Sequence, residues 1–158
     1  MDFETLYQRY ARDVYRFALY LSASEHLADD LTAETFVRAW MSPAPIREGT
    51  VKAYLFAIAR NLYRAARRDE ARHAELDHSM PDTAPGPESS AGTRIELERV
   101  RHRLQALPEI DRAVLLMRAE DDLSYEEIAA VVGITPGAAK VKVHRARARL
   151  VAVGKEGM

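Results

Sequence analysis

Along most of the chain, apolar residues return at steps of three and four, the period of a helix rather than a strand. The first set is Phe3, Leu6, Tyr7, Tyr10, Val14, Phe17 and Leu21, one face of an amphipathic helix. Ser22 and Glu25 stand at capping-box spacing and predict the start of a second helix. That helix carries Leu27 and Leu31 on one side and Phe36 and Trp40 on roughly the other, so it is expected to lie between neighbours. Pro43, Pro45 and Gly49 break the pattern. Thr50 can cap a third helix with Val51, Tyr54, Leu55, Ile58, Leu62 and Ala65 as its buried stripe. At about 100° per residue, Arg60, Arg64 and Arg67 fall on the opposite face. Nothing in this half alternates with period two over a useful length, so no sheet is expected.

Residues 79–93, SMPDTAPGPESSAGT, hold three prolines, two glycines and no aromatic residue. Such a stretch buries too little apolar surface to offset its ordering entropy, and it is long for a loop inside one domain. It reads as a flexible, slightly acidic linker. Beyond it, Thr93 and Glu96 form a capping box before Leu97, Val100, Leu104 and Leu107. Pro108 suits the first turn of a helix running through Ile110, Val114 and Met117 to about Arg118. The expected architecture is all-α: two small helical domains, residues 1–78 and 94–158, joined by the linker at 79–93.

The last segment, SYEEIAAVVGITPGAAKVKVHRARARL, has the layout of a helix-turn-helix. Ser124 and Glu127 can form a capping box for its first helix. The crossing of two helices needs a small residue, and Ala129 supplies it. The turn needs a residue that tolerates positive φ, and Gly133 supplies it. Ile128, Val132 and Ile134 can pin the pair to a core. Thr135 can cap the second helix with Pro136 at its first position. Along that helix Ala139, Val143, Ala146 and Leu150 share a narrow arc, while Val141, His144, Arg145 and Ala148 point away with Lys140 and Arg147 flanking. Residues 140–149 contain five basic side chains and no acid. A helix of this kind can offer cations to phosphates and base edges. The plainer alternative is a helical hairpin with a solvated basic face, and the Arg60/Arg64/Arg67 stripe has the same two readings.

Composition narrows the classes. The chain has 158 residues, 47% hydrophobic and 30% charged, which fits a soluble globular protein. Net charge is −1, against binding nucleic acid by bulk charge alone. There is no cysteine, so disulfides, thiol catalysis and cysteine-ligated zinc are excluded. No apolar run approaches the roughly 20 residues of a membrane span, and the N-terminus is charged from the start. No signal peptide or membrane insertion is expected, and a cytoplasmic location fits. The histidines (His26, His73, His78, His102, His144) sit in no HExxH motif, and no phosphate loop or nucleophile elbow occurs. Neither an enzyme, a metal site nor a cofactor is expected.

Two separated segments resemble one family, the extracytoplasmic-function (ECF) sigma factors of the sigma-70 family. LYQRYARDVYRFALYL, HLADDLTAETFVRAW and VKAYLFAIARNLYRAARR are similar to sigma region 2. LPEIDRAVLLMRAEDDLSYEEIAAVVGITPGAAKVKVHRARARL is similar to sigma region 4. The resemblance implies a transcription initiation subunit that binds core RNA polymerase and promoter DNA. Region 2 would meet polymerase around Asp30, Leu31, Glu34, Phe36 and Arg38. It would recognise and melt the −10 element through the Pro45–Thr50 loop, Arg60, Asn61, Arg64 and Arg67. Region 4 would place its last helix in the −35 major groove, with Lys140, Val141, His144 and Arg145 toward DNA and Arg118 near a phosphate. Val141 stands where such proteins often have a small polar residue. It can touch a thymine methyl but cannot hydrogen-bond a base. An anti-sigma factor is a further implied partner. The alternative reading is a stand-alone helix-turn-helix transcriptional regulator, with residues 1–78 as a dimerisation or sensory unit.

Overall fold

The computed structural model describes residues 2–42, 51–76 and 91–156. Among them are seven helices and no strand: α1 (Phe3–Ser22), α2 (Glu25–Met41), α3 (Val51–Leu76), α4 (Ala91–Gln105), α5 (Glu109–Ala119), α6 (Tyr125–Val132) and α7 (Pro136–Glu156). The all-α expectation holds. Thr50 and residues 79–90 of the expected linker lie outside the described residues. Its last residues, 91–93, already belong to α4, so Thr93 lies within that helix instead of capping it.

The first half packs α1, α2 and α3 together. Leu6, Val14, Phe17, Ala18 and Leu21 are the buried side of α1. Phe3 and Tyr7, expected in the same stripe, are exposed. The second helix starts later than the sequence predicts. Ser22 ends α1 and donates its hydroxyl to the Ala18 carbonyl at 2.7 Å. Ala23 turns left-handed at φ 58°, and Ser24 is the cap, accepting from the Leu27 N–H at 3.1 Å. Burial on α2 follows Ala28, Leu31, Thr32, Thr35, Phe36 and Ala39. The two threonines survive in the core because their hydroxyls donate to the Ala28 and Leu31 carbonyls at 2.7 and 2.6 Å. Trp40 is on the surface, 55% exposed, with its ring edge-on to Phe3.

On α3, Val51 and Leu55 are buried as expected, but so are Ala53, Phe56, Ala59, Arg60 and Tyr63. Phe56 stacks on Phe17 of α1 with ring centroids 4.5 Å apart. Burying each phenyl group contributes about 2–3 kcal/mol. The wide buried arc has one cause: α3 is covered from two sides, by α1 and α2 and by the second half of the chain.

The second half packs α4, α5, α6 and α7. Leu104 and Leu107 are buried, whereas Val100 is exposed. Pro108 is the residue before α5, one position earlier than its expected place inside the first turn. Val114 and Met117 are fully buried. The buried apolar residues of both halves form one cluster.

Arg112 of α5 closes the seam between them. It is buried, and its Nε donates to the Leu21 carbonyl at the end of α1 at 2.9 Å. Its Nη1 donates to the Leu107 carbonyl at 2.9 Å and its Nη2 to the Tyr63 hydroxyl at 3.1 Å. Gln105 Nε2 also donates to Leu21 O, at 3.0 Å. The carbonyl ends of helices carry partial negative charge, so a guanidinium set there is stabilised without a carboxylate.

Candidate nucleic-acid interface

The helix-turn-helix is built as its sequence requires. Ser124 accepts from the Glu127 N–H at 3.1 Å, and the Glu127 carboxylate accepts from the Ser124 N–H at 3.0 Å. Gly133 ends α6 at φ 76° and donates its N–H to the Ala129 carbonyl at 2.8 Å. The Thr135 hydroxyl accepts from the Ala138 N–H at 3.1 Å at the head of α7. Ile128, Ala129, Ala139, Val143 and Ala146 are buried, which fixes the angle between the two helices.

The opposite face of α7 presents Lys140, Val141, His144, Arg145 and Arg147, all exposed. The basic run divides into two groups. Lys142 and Arg149 turn back to buried Asp111 of α5, at 3.5 and 3.7 Å. Asp111 thus holds α7 from behind, a contact with no signal in the sequence. Arg118 is engaged within its own half. Its Nη1 donates to the Leu123 carbonyl at 3.0 Å and lies 3.5 Å from Asp122, and its guanidinium sits 4.7 Å from the Tyr125 ring centroid.

The row on α3 differs more from its expectation. Arg60 is 5% exposed, not on a solvent face. Its Nε and Nη2 donate to the two oxygens of Glu109, at 2.8 and 2.9 Å. Arg64 is half-exposed, with Nε 3.8 Å from Glu109 Oε1. Arg67 pairs with Glu70 at 3.3 Å, and Asn61 is exposed. The Pro45–Thr50 loop lies outside the described residues.

Five α2 residues were assigned to polymerase, and the structure separates them. Asp30, Glu34 and Arg38 are exposed, with Glu34 and Arg38 paired at 3.1 Å. Leu31 and Phe36 are core residues, unavailable to a partner without unpacking α2. Between the charged positions lie Val37 and Met41, the latter 75% exposed. Helical spacing alone could have placed both on that face. His26 lies 3.4 Å from exposed Asp30. No group of three potential metal ligands occurs among the described residues, and none of their helices is long and apolar enough to cross a membrane.

Residues 6–73 match the family model of sigma-70 region 2, and residues 97–150 match that of sigma-70 region 4. The ECF RNA polymerase sigma factor SigM of Bacillus subtilis is 30% identical over all of this chain and 98% of its own length. The chain belongs to the ECF sigma factors of the sigma-70 family. The ECF sigma factor SigE of Mycolicibacterium smegmatis is 33% identical over 94% of the chain, which spans 60% of that longer relative. Among solved structures, the sigma factor RpoE of Bartonella quintana, in complex with the anti-sigma factor NepR, superposes with a TM-score of 0.84. It is 26% identical, and 98% of this chain and 97% of that one are covered. The similarity to this sigma factor spans both regions, so the helix-turn-helix falls in region 4 and the α3 arginine row in region 2.

Proposed function

We propose that this ECF sigma factor binds core RNA polymerase and directs it to promoters, with region 4 reading the −35 element and region 2 engaging the −10 element. The observation that carries the reading is the set Lys140, Val141, His144 and Arg145, exposed together on a helix whose other face buries Ala139, Val143 and Ala146. A rigid helix with cations and one apolar contact suits the major groove, where Arg and Lys read guanine and an apolar group reads a thymine methyl. Asp30, Glu34 and Arg38, with Val37 and Met41 among them, are assigned to polymerase. Asn61, Arg64, Arg67 and Arg60 are assigned to the −10 strand, where a basic track suits an unpaired backbone. Promoter binding depends on polymerase, because a chain of net charge −1 gains little from counterion release. An anti-sigma factor is the expected regulator, by analogy with the RpoE–NepR complex.

The test is co-elution of the purified chain with core RNA polymerase, followed by transcription from promoters selected by the complex. A stoichiometric complex that initiates at defined sites is expected. A chain that stays apart from polymerase yet binds a palindromic operator as a dimer would reverse the reading in favour of a stand-alone regulator.

A further inference from the structure

The basic side chains of α7 are not all turned to the same task. At about 100° per residue, Lys142 and Arg149 fall within about 20° of each other, on the flank between Arg145 and the buried arc of Ala139, Val143 and Ala146. They stand two turns apart, and one carboxylate meets both. Asp111, in the first turn of α5, sets Oδ1 3.5 Å from Lys142 Nζ and Oδ2 3.7 Å from Arg149 Nη1. The Asp111 side chain is 12% exposed. A carboxylate at that depth needs cations beside it, and these two supply the charge. Arg149 is one turn beyond Arg145, so with Asp111 neutral its long side chain is free to swing to a phosphate at the edge of the groove. A cation on a phosphate adds affinity for any sequence, whereas contacts to base edges discriminate.

We infer that Asp111 is a specificity-determining positioning residue for the −35 element: it withholds Lys142 and Arg149 from phosphates and fixes the orientation in which Lys140, Val141, His144 and Arg145 meet the bases. The inference rests on the assignment of α7 to the −35 major groove made above. One basic run is thereby divided between holding the helix and reading DNA. The recognition helix binds more weakly than its charge allows and selects more sharply.

The test uses the chain in complex with core RNA polymerase, on duplex promoters with either a selected or a scrambled −35 element, over a range of salt. Asp111→Asn keeps the shape of the side chain and removes its charge. It should bind the scrambled promoter at least ~5-fold tighter than the parent does, with a slope of log K on log salt steeper by ~1–2, since each new phosphate contact adds about 0.9. Discrimination between the two promoters should fall by a similar factor. Glu75→Gln makes the same change of charge at an exposed position on α3 and should alter neither quantity. A second variant, Asp111→Leu/Lys142→Met/Arg149→Gln, removes the whole ion triad, a replacement that proteins often tolerate without loss of stability. It should keep the parent's salt slope. A slope shallower by ~2 in that variant would show that Lys142 and Arg149 already serve phosphates, and it overturns the inference. So does an unchanged slope in Asp111→Asn, an equal loss of binding to both promoters, or an equal shift in Glu75→Gln. A parent complex that does not distinguish the selected from the scrambled element overturns the −35 assignment and this inference together. With that distinction present, failure of the variants removes the role of Asp111 and leaves the proposed function standing.

Discussion

Among the described residues Ala23, Asp122 and Gly133 occupy the left-handed backbone region, and two of them sit in turns that join successive helices with different residues. Gly133, at φ 76°, is the expected choice between α6 and α7. Ala23, at φ 58°, does the same between α1 and α2, where its Cβ crowds the following carbonyl. Glycine at residue 23 removes that crowding, so Ala23→Gly should raise stability by about 1 kcal/mol in chemical denaturation. A Cβ at Gly133 would meet nothing within 4 Å, so Gly133→Ala carries the backbone cost alone and should lower stability by about 1–2 kcal/mol. A loss well beyond that would mean the helix-turn-helix itself had shifted. The same alanine explains a misplaced boundary. Ser22 and Ser24 both precede suitable residues, and Ala23 gives no sequence signal of a helix end, so the capping pattern pointed two residues early.

Helical periodicity predicts one face per helix, and it succeeds where a helix has one covered side. On α7 the buried set of Ala139, Val143 and Ala146 and the exposed set around Arg145 were both evident from spacing. On α3 it failed, because that helix is covered twice and the partner of Arg60 lies 49 residues away in sequence. On α2, Thr32 and Thr35 are core residues whose hydroxyls bond within the helix, while Trp40, expected to lie against a neighbour, is outside. Function should divide along the same elements. Arg145→Ala on α7 should lower initiation at promoters that depend on the −35 element by roughly tenfold, the effect of one base contact, and leave polymerase affinity unchanged. Asp30→Ala with Glu34→Ala on α2 should weaken the polymerase complex first. Equal loss of both steps in both variants, in binding and run-off transcription assays, would contradict this division.

The two halves meet in a cluster of charges as well as in the arginine seam. Asp121, beyond α5, lies 3.7 Å from Lys52 of α3 and 3.9 Å from Arg16 of α1, with Asp13 and Glu120 close by. Its side chain is buried, and one oxygen has no hydrogen bond. Burial without a close donor pushes its pKa up to about 6; Lys52 offsets this in part and Asp13 adds to it. The joined state therefore holds a proton on Asp121 at a pH where the separated or unfolded chain has lost it. Asp121 contributes more to stability as pH falls from about 7 toward 4, and at pH 7 its ionisation opposes closure. Asp121→Asn should raise thermal stability at pH 7, by roughly 2 kcal/mol, and the advantage over the parent should shrink by pH 5. An advantage equal at both values would assign the effect to something other than ionisation. None of this was legible beforehand, because the cluster draws on three separate helices and a turn. The division into regions 2 and 4 was legible, since each carries its own motifs. The chain contains a single tryptophan, and Trp40 stands half in water beside the α2 surface assigned to polymerase. Indole emission shifts to shorter wavelength when the ring leaves water, so the native protein carries its own optical reporter, and docking on that surface can be timed without attaching a dye.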